Sequence, residues 1–185
     1  MRLVADHPAA PISATDLLAE IGFGVADQSH ISAMEKSIAA AVDYVEVAAA
    51  RPIGSRLNEF TLRGAYWLQW WFPVAPVQEV RKVERSDDWI TWRMLDPTEY
   101  ALAMQHDEPH LVMADQGPCK VTKVTAMTGF VLPKVPPALV QAVALLAKDN
   151  FETARAIDDK PAIEASVGID RLIRQHRYVR PAEFA

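Results

Sequence analysis

Residues 135–155 read VPPALVQAVALLAKDNFETAR, and this stretch constrains the fold more than any other. Pro136 and Pro137 suit a helix entrance, because proline in the first turn gives up an amide that has no partner there anyway. From Ala138 to Ala147 only Gln141 is polar, so Leu139, Val140, Val143, Leu145 and Leu146 leave almost no wet face. A helix of that kind has to be covered on more than one side, which predicts a central core element. Polarity returns at Lys148, Asp149 and Asn150, followed by Phe151, Glu152 and Arg155 at spacings where a neighbouring element could meet them.

Two earlier segments can supply the cover. Ser13 can cap a short helix whose Leu17, Leu18 and Ile21 face inward, with Gly22 or Gly24 ending it. Over 28–50, Ile31, Met34, Ile38, Ala41, Val42, Val45 and Ala48 recur at three- and four-residue steps, predicting an amphipathic helix. Asp27 or Ser29 can cap this helix, and Pro52 with Gly54 stops it.

The period then changes to two. Phe60, Leu62, Tyr66, Leu68, Trp70 and Phe72 alternate, with Gly64 as a bend, and further short runs end at turns over 86–88, 96–97, 106–109 and 117–118. Five or six antiparallel strands in a meander are predicted. Trp67 and Trp71 fall on the face that should be wet, which leaves two readings open: a second layer of the same subunit, or a subunit interface, where Trp is enriched. Pro161 bars continuation of the central helix, and a last short helix is predicted over 168–176. The fold class is therefore α+β: a helical core with an inserted antiparallel β-meander and a short C-terminal helix or arm.

Composition narrows the function classes. With 185 residues, half of them apolar, the chain can bury one sizeable core. No run of eighteen apolar residues and no signal-peptide pattern is present, so a soluble protein made in the cytosol is expected. The single cysteine, Cys119, excludes an internal disulfide and a cysteine-based zinc site. A net charge of −5 argues against gripping nucleic acid by its phosphates, although Arg171, Arg174, Arg177 and Arg180 crowd the end. The cluster His106, Asp107, Glu108, His110 has metal-ligand residue types, but Pro109 lies within it and the stretch reads as a solvated hairpin tip. No serine elbow, phosphate loop or dinucleotide motif can be written, and Asp87–Asp88 and Asp158–Asp159 fall at turns. No catalytic residue, metal or cofactor is assigned; the residues read as a structural or binding module.

The order of the pieces resembles the head–tail connector (adaptor) proteins of tailed bacteriophages and of phage-derived gene transfer agents. The matching blocks are SATDLLAEI over 13–21, AAARPIG over 48–54, FPVAPVQEVRKV over 72–83, LDPTEY over 95–100, VTKVTAMTGF over 121–130, the central helix, and GIDRLIRQHRYVR over 168–180. The resemblance implies a flexible arm over 1–12, a connector domain over 13–160 with helices at 13–21, 28–50 and 137–155 and a β insert at 57–127, and a portal-docking segment over 161–185. It implies a virion protein of the neck, made in the bacterial cytoplasm. That protein would form a homo-oligomeric, dodecameric ring beneath the portal, extend the DNA exit channel and offer a surface to the stopper or tail. DNA would pass without specific binding, in keeping with a net acidic wall.

On that reading Leu172, Ile173, Arg174 and Tyr178 anchor the C-terminus to the portal, Arg171 and Arg177 meet acidic groups on it, and removal of 168–185 should leave a folded chain unable to join portal-bearing particles. Trp67, Trp71, Phe151 and Arg155 are the candidate contacts between ring neighbours. The competing readings are another neck protein (stopper or tail terminator, mostly small β-barrels), a small metal enzyme using His106 and His110, and a DNA-binding regulator.

Overall fold

The computed structural model describes residues 2–3, 10–23, 27–64, 68–115, 119–155 and 167–181. Outside them fall most of the N-terminal arm, Gly24, Tyr66, Trp67, the turn at Gly117 and Pro118, Asp158, Asp159 and Pro161. The chain divides into a helical unit, Ala9–Gly54 with Val131–Arg177, and a sheet unit, Met1–Pro8, Ser55–Phe130 and Tyr178–Ala185.

The helical unit holds α1 (Ala14–Glu20), α2 (Gln28–Ala49), α3 (Pro137–Arg155) and α4 (Val167–Gln175). Asp27 caps α2, its carboxylate accepting from the His30 amide at 2.9 Å. The Ser29 hydroxyl first, and then the His30 amide, hold the Asp27 pKa down to about 2. Ala50, in the left-handed region at φ 52°, closes α2 and returns its N–H to the carbonyls of Glu46 and Val47. At the start of α1 Ser13 occupies the cap position but bonds the Thr15 hydroxyl at 2.6 Å instead of a backbone amide. Gly22, at φ 88°, ends α1 as predicted.

The buried stripe of α2, Met34, Ile38, Ala41, Val45 and Ala49, packs on Leu139, Ala142, Val143, Ala147 and Phe151 of α3, and α4 adds Ile169 and Ile173 to the unit's interior. A buried Glu46 accepts from the Ile53 amide at 2.7 Å, and Arg51 donates to the His176 carbonyl at 2.6 Å, tying the chain after α2 to the end of α4. The all-round cover predicted for the central helix is not complete: Val140 and Ala144 are half-buried and Leu145 is exposed.

The sheet unit contains β1 (Arg2–Leu3), β2 (Arg56–Arg63), β3 (Gln69–Trp71), β4 (Val77–Ser86), β5 (Arg93–Met94), β6 (Tyr100–Gln105), β7 (Glu108–Met113) and β8 (Val121–Thr128). They form two antiparallel sheets, ordered β1-β2-β8-β4-β5 and β3-β7-β6. This is more than the five or six strands predicted, and the last strand lies between β2 and β4. Inside the larger sheet, the buried Asn58 donates its side-chain N–H to the Thr128 hydroxyl at 2.6 Å, where β2 meets β8.

The core of this unit is aromatic. Phe60, Trp70 and Phe72 meet with centroids 4.6 to 5.7 Å apart, packed with Leu62, Val83, Leu111, Met113 and Val124. Leu68, expected on the buried face, is exposed because β2 ends after Arg63 and β3 begins only at Gln69, so the alternation does not run through. Gly64, with φ 95°, is the bend.

Candidate assembly surfaces

α4 presents two faces. Ile169 and Ile173 point into the helical unit, while Arg171 and Arg174 are exposed and Leu172 is half-buried; Arg177, just past the helix, is exposed too. Asp170, Arg171, Arg174 and Gln175 line a shallow depression of about 480 Å³. Tyr178 belongs to the sheet unit, where it is 5% exposed and its hydroxyl donates to the Phe72 carbonyl at 3.0 Å. Of the six residues expected to meet a portal, Ile173, 3% exposed, and Tyr178 are therefore internal to this chain. Removing 168–185 would strip Ile169, Ile173 and Tyr178 from two interiors, so a folded truncation is no longer the expected result. The arginines are the exposed part of the segment.

The ring candidates separate in the same way. Phe151 is 1% exposed and lies edge-on to Phe23, ring centroids 5.9 Å apart at 77°, so it is a core residue of its own subunit rather than a contact between subunits. Trp71 is half-buried and stacks on His110 at 5.3 Å and 26°, its register partner across β3 and β7. Trp67 lies outside the described residues, as does the side chain of Arg155 at the end of α3.

The hairpin joining β6 to β7 explains the histidine cluster. Gln105 pairs with Glu108, leaving His106 and Asp107 as a two-residue loop with φ of 50° and 65°. Positive φ at both positions is the twist-matched hairpin turn. His110 is buried in β7, its Nδ1 3.2 Å from the Glu108 carbonyl oxygen. Among the described residues no three His, Cys, Asp or Glu side chains are grouped so as to hold a metal ion, and no helix is long and apolar enough to cross a membrane.

Two surface features were not foreseen. An open groove of about 690 Å³ runs between the start of α1 and the start of α3, its floor made by Ile12, Leu17, Val135, Val140 and Ala144. Asp16 and Glu20 stand on its rim, and Glu20 pairs with Lys148. This groove is where the uncovered side of α3 goes.

The second feature is the loop between β4 and β5. Asp88 accepts from the amides of Ile90 and Thr91 at 2.8 and 2.7 Å and from the hydroxyls of Thr91 and Ser86, both at 2.9 Å. Trp89 is thereby held at φ 67° with the Arg63 guanidinium 5.4 Å from its ring centroid, and Ile90 is left 83% exposed. The spacing Ser86-x-Asp88-x-x-Thr91 was the available sequence signal.

Those hydrogen bonds, the Thr91 amide first and then the Ile90 amide, hold the Asp88 carboxyl well below the usual carboxylate range. Because the folded pKa is depressed, the stabilising contribution is complete above the unfolded value near about 4 and is lost only as pH falls through the lower folded value. Amide exchange at Ile90 and Thr91, corrected for intrinsic rate, should therefore stay slow at pH 3 in the parent chain. In Asp88→Ala it should be fast at every pH. Equal protection in the two proteins would show that Asp88 does not organise the loop.

No family model matches the chain, and no curated protein matches it. Solved structures do. A chain in the neck of an empty gene transfer agent (GTA) particle, computed with C6 symmetry, superposes with a TM-score of 0.79 at 20% identity, covering 98% of this chain and 96% of that one. A chain of the virion of a native gene transfer agent particle gives 0.77 at 20% identity, with the same coverages of 98% and 96%. A third, from the neck of a native GTA particle computed with C12 symmetry, gives 0.67 at 25% identity and 98% coverage of both chains. Both units, and not one alone, are thus shared with these chains from end to end.

Proposed function

We propose, from a fold held in common over its whole length with neck chains of gene transfer agent particles, that this chain is a structural protein of a phage-like neck. Within the neck we assign it to the head–tail connector, the ring seated beneath the portal that lengthens the DNA exit channel and presents a surface to the stopper or tail. The observation that carries the reading is the 98% two-way coverage of a chain from a neck computed with C12 symmetry. Symmetry of that kind places identical chains side by side around one axis.

The chain's own chemistry supports the assignment. Stoppers and tail terminators are mostly small β-barrels, whereas one of the two units here is built from four helices. A net charge of −5 keeps a channel wall from holding phosphates, and the exposed arginines of α4 give a separate basic surface for an acidic partner. Portal, stopper and tail proteins are the partners on this reading, and no reaction is assigned.

Deleting the coding sequence from the parent element tests it. DNA-filled heads without tails should accumulate, and supplying the chain in trans should restore tailed particles. Tailed particles in normal number from the deletion would overturn the assignment.

A further inference from the structure

Among the described residues, the sheet unit leaves one long strand edge without a neighbour. In β6 the pairs with β7 are Tyr100↔Met113, Ala101↔Val112, Leu102↔Leu111, Ala103↔His110, Met104↔Pro109 and Gln105↔Glu108. Antiparallel pairs alternate between those that exchange hydrogen bonds and those whose N–H and C=O groups point away from each other. Pro109 has no N–H, so Met104↔Pro109 is of the second kind, and so by alternation are Leu102↔Leu111 and Tyr100↔Met113. Two neighbouring bonds confirm the phase. The Ala114 amide donates to the Glu99 carbonyl at 2.8 Å, one step beyond the Tyr100 pair, and the Pro109 carbonyl turns the other way to accept from Phe72 at 3.0 Å. The backbone groups of Tyr100, Leu102 and Met104 therefore face outward, and among the described residues no backbone bond takes them up.

Native sheets guard their edges with short strands, charges, bulges or a covering segment. The other edges here show those devices. β1 and β5 have two residues each, and Arg93 of β5 is paired with Glu99 at 2.7 Å. The part of β4 beyond β5 carries Glu79, Arg81 and Lys82 and two register shifts. Beside β3 the tail docks, Tyr178 on the Phe72 carbonyl and Arg180 over Trp70. Among the described residues β6 shows none of them: six residues, YALAMQ, with no charged side chain and Met104 58% exposed.

We propose that the outer edge of β6 pairs with an extended segment of a second copy of this chain, the neighbour in the ring. The inference rests on the connector reading. Charge singles out a copy as the occupant. Two chains of net charge −5 repel, so their contact belongs where the surface carries no charge, and a basic partner would be met by a charged edge instead. The faces fit too. Tyr100 and Leu102 pack against the aromatic core, so an added strand with apolar residues at alternate positions would extend that core and cover Met104.

The test compares amide exchange in the full chain, dilute and in purified particles, with the assembly of two variants. The amides of Tyr100, Leu102 and Met104 should exchange freely in the dilute chain and become at least tenfold slower in particles. Met104→Pro removes an outward donor and no internal bond, a position where an edge strand tolerates proline, and Met104→Lys adds an edge charge. Both should keep parental protection across β7 and should enter particles about fivefold less well or worse, the cost of one hydrogen bond at each of several contacts. Variants that enter particles as the parent does, or outward amides that exchange freely there, would overturn the edge contact while leaving the connector reading intact. A parent chain missing from the particles would defeat both.

Discussion

Phe151→Ala is expected to lower the unfolding free energy by about 3–5 kcal/mol, the usual cost of emptying a fully buried aromatic site. The ring is buried near the end of α3 and meets Phe23, in the chain after α1, in a T-shaped contact. Collapse around the void would be limited, because α2 and α3 already pack through small residues, Ala41, Ala49, Ala142 and Ala147. The result separates two roles for one residue. A side chain serving only a neighbour in a ring could be truncated with a change within about 0.5 kcal/mol in the isolated chain. Urea denaturation of the monomer reads the difference directly, with exposed Glu152→Ala as the control.

Replacing Arg171, Arg174 and Arg177 together by glutamate should have the opposite profile. All three side chains are exposed, so the midpoint of unfolding should hardly move. Entry into portal-bearing particles should fall by about a hundredfold, since like charges set against each other at an interface cost several kcal/mol. Substitution by lysine should retain most of the function if charge alone matters, and lose part of it if bidentate contacts to carboxylates are made. Particle incorporation scored by quantitative blotting checks all three cases. Normal incorporation of the glutamate variant would mean that α4 faces no acidic partner.

Local pattern made much of this chain legible. The stripe Met34, Ile38, Ala41, Val45 needed only a period of 3.6 and a cap at Asp27, and α2 has the predicted bounds to within a residue. The polar run around Pro109 reads as a hairpin tip, and the turn is there, with positive φ at His106 and Asp107, residue types that tolerate it better than most. Pairings between distant segments were harder to see. Nothing local to VTKVTAMT says that this strand enters between β2 and β4, because an apolar strand suits any central position.

Burial of single side chains failed for the same reason. Phe151 continues the spacing of Val143 and Ala147 by four residues, a signal that was present, yet its charged neighbours drew the reading outward. Tyr178 follows a run of arginines and looked like part of a docking peptide. Its fate was decided by the carbonyl of Phe72, a hundred and six residues away, which no window could reveal. The edge position of β6 among the described strands was the least visible, since an edge is defined by what fails to pair with it.

An electron cryomicroscopy reconstruction of the parent particle's neck, with this chain located by its density, decides whether it is a connector. A closed ring of copies directly beneath the portal, with the arginines of α4 turned toward a partner protein, is the expected result. A neck whose ring under the portal is built from a different polypeptide, with this chain absent, would contradict it.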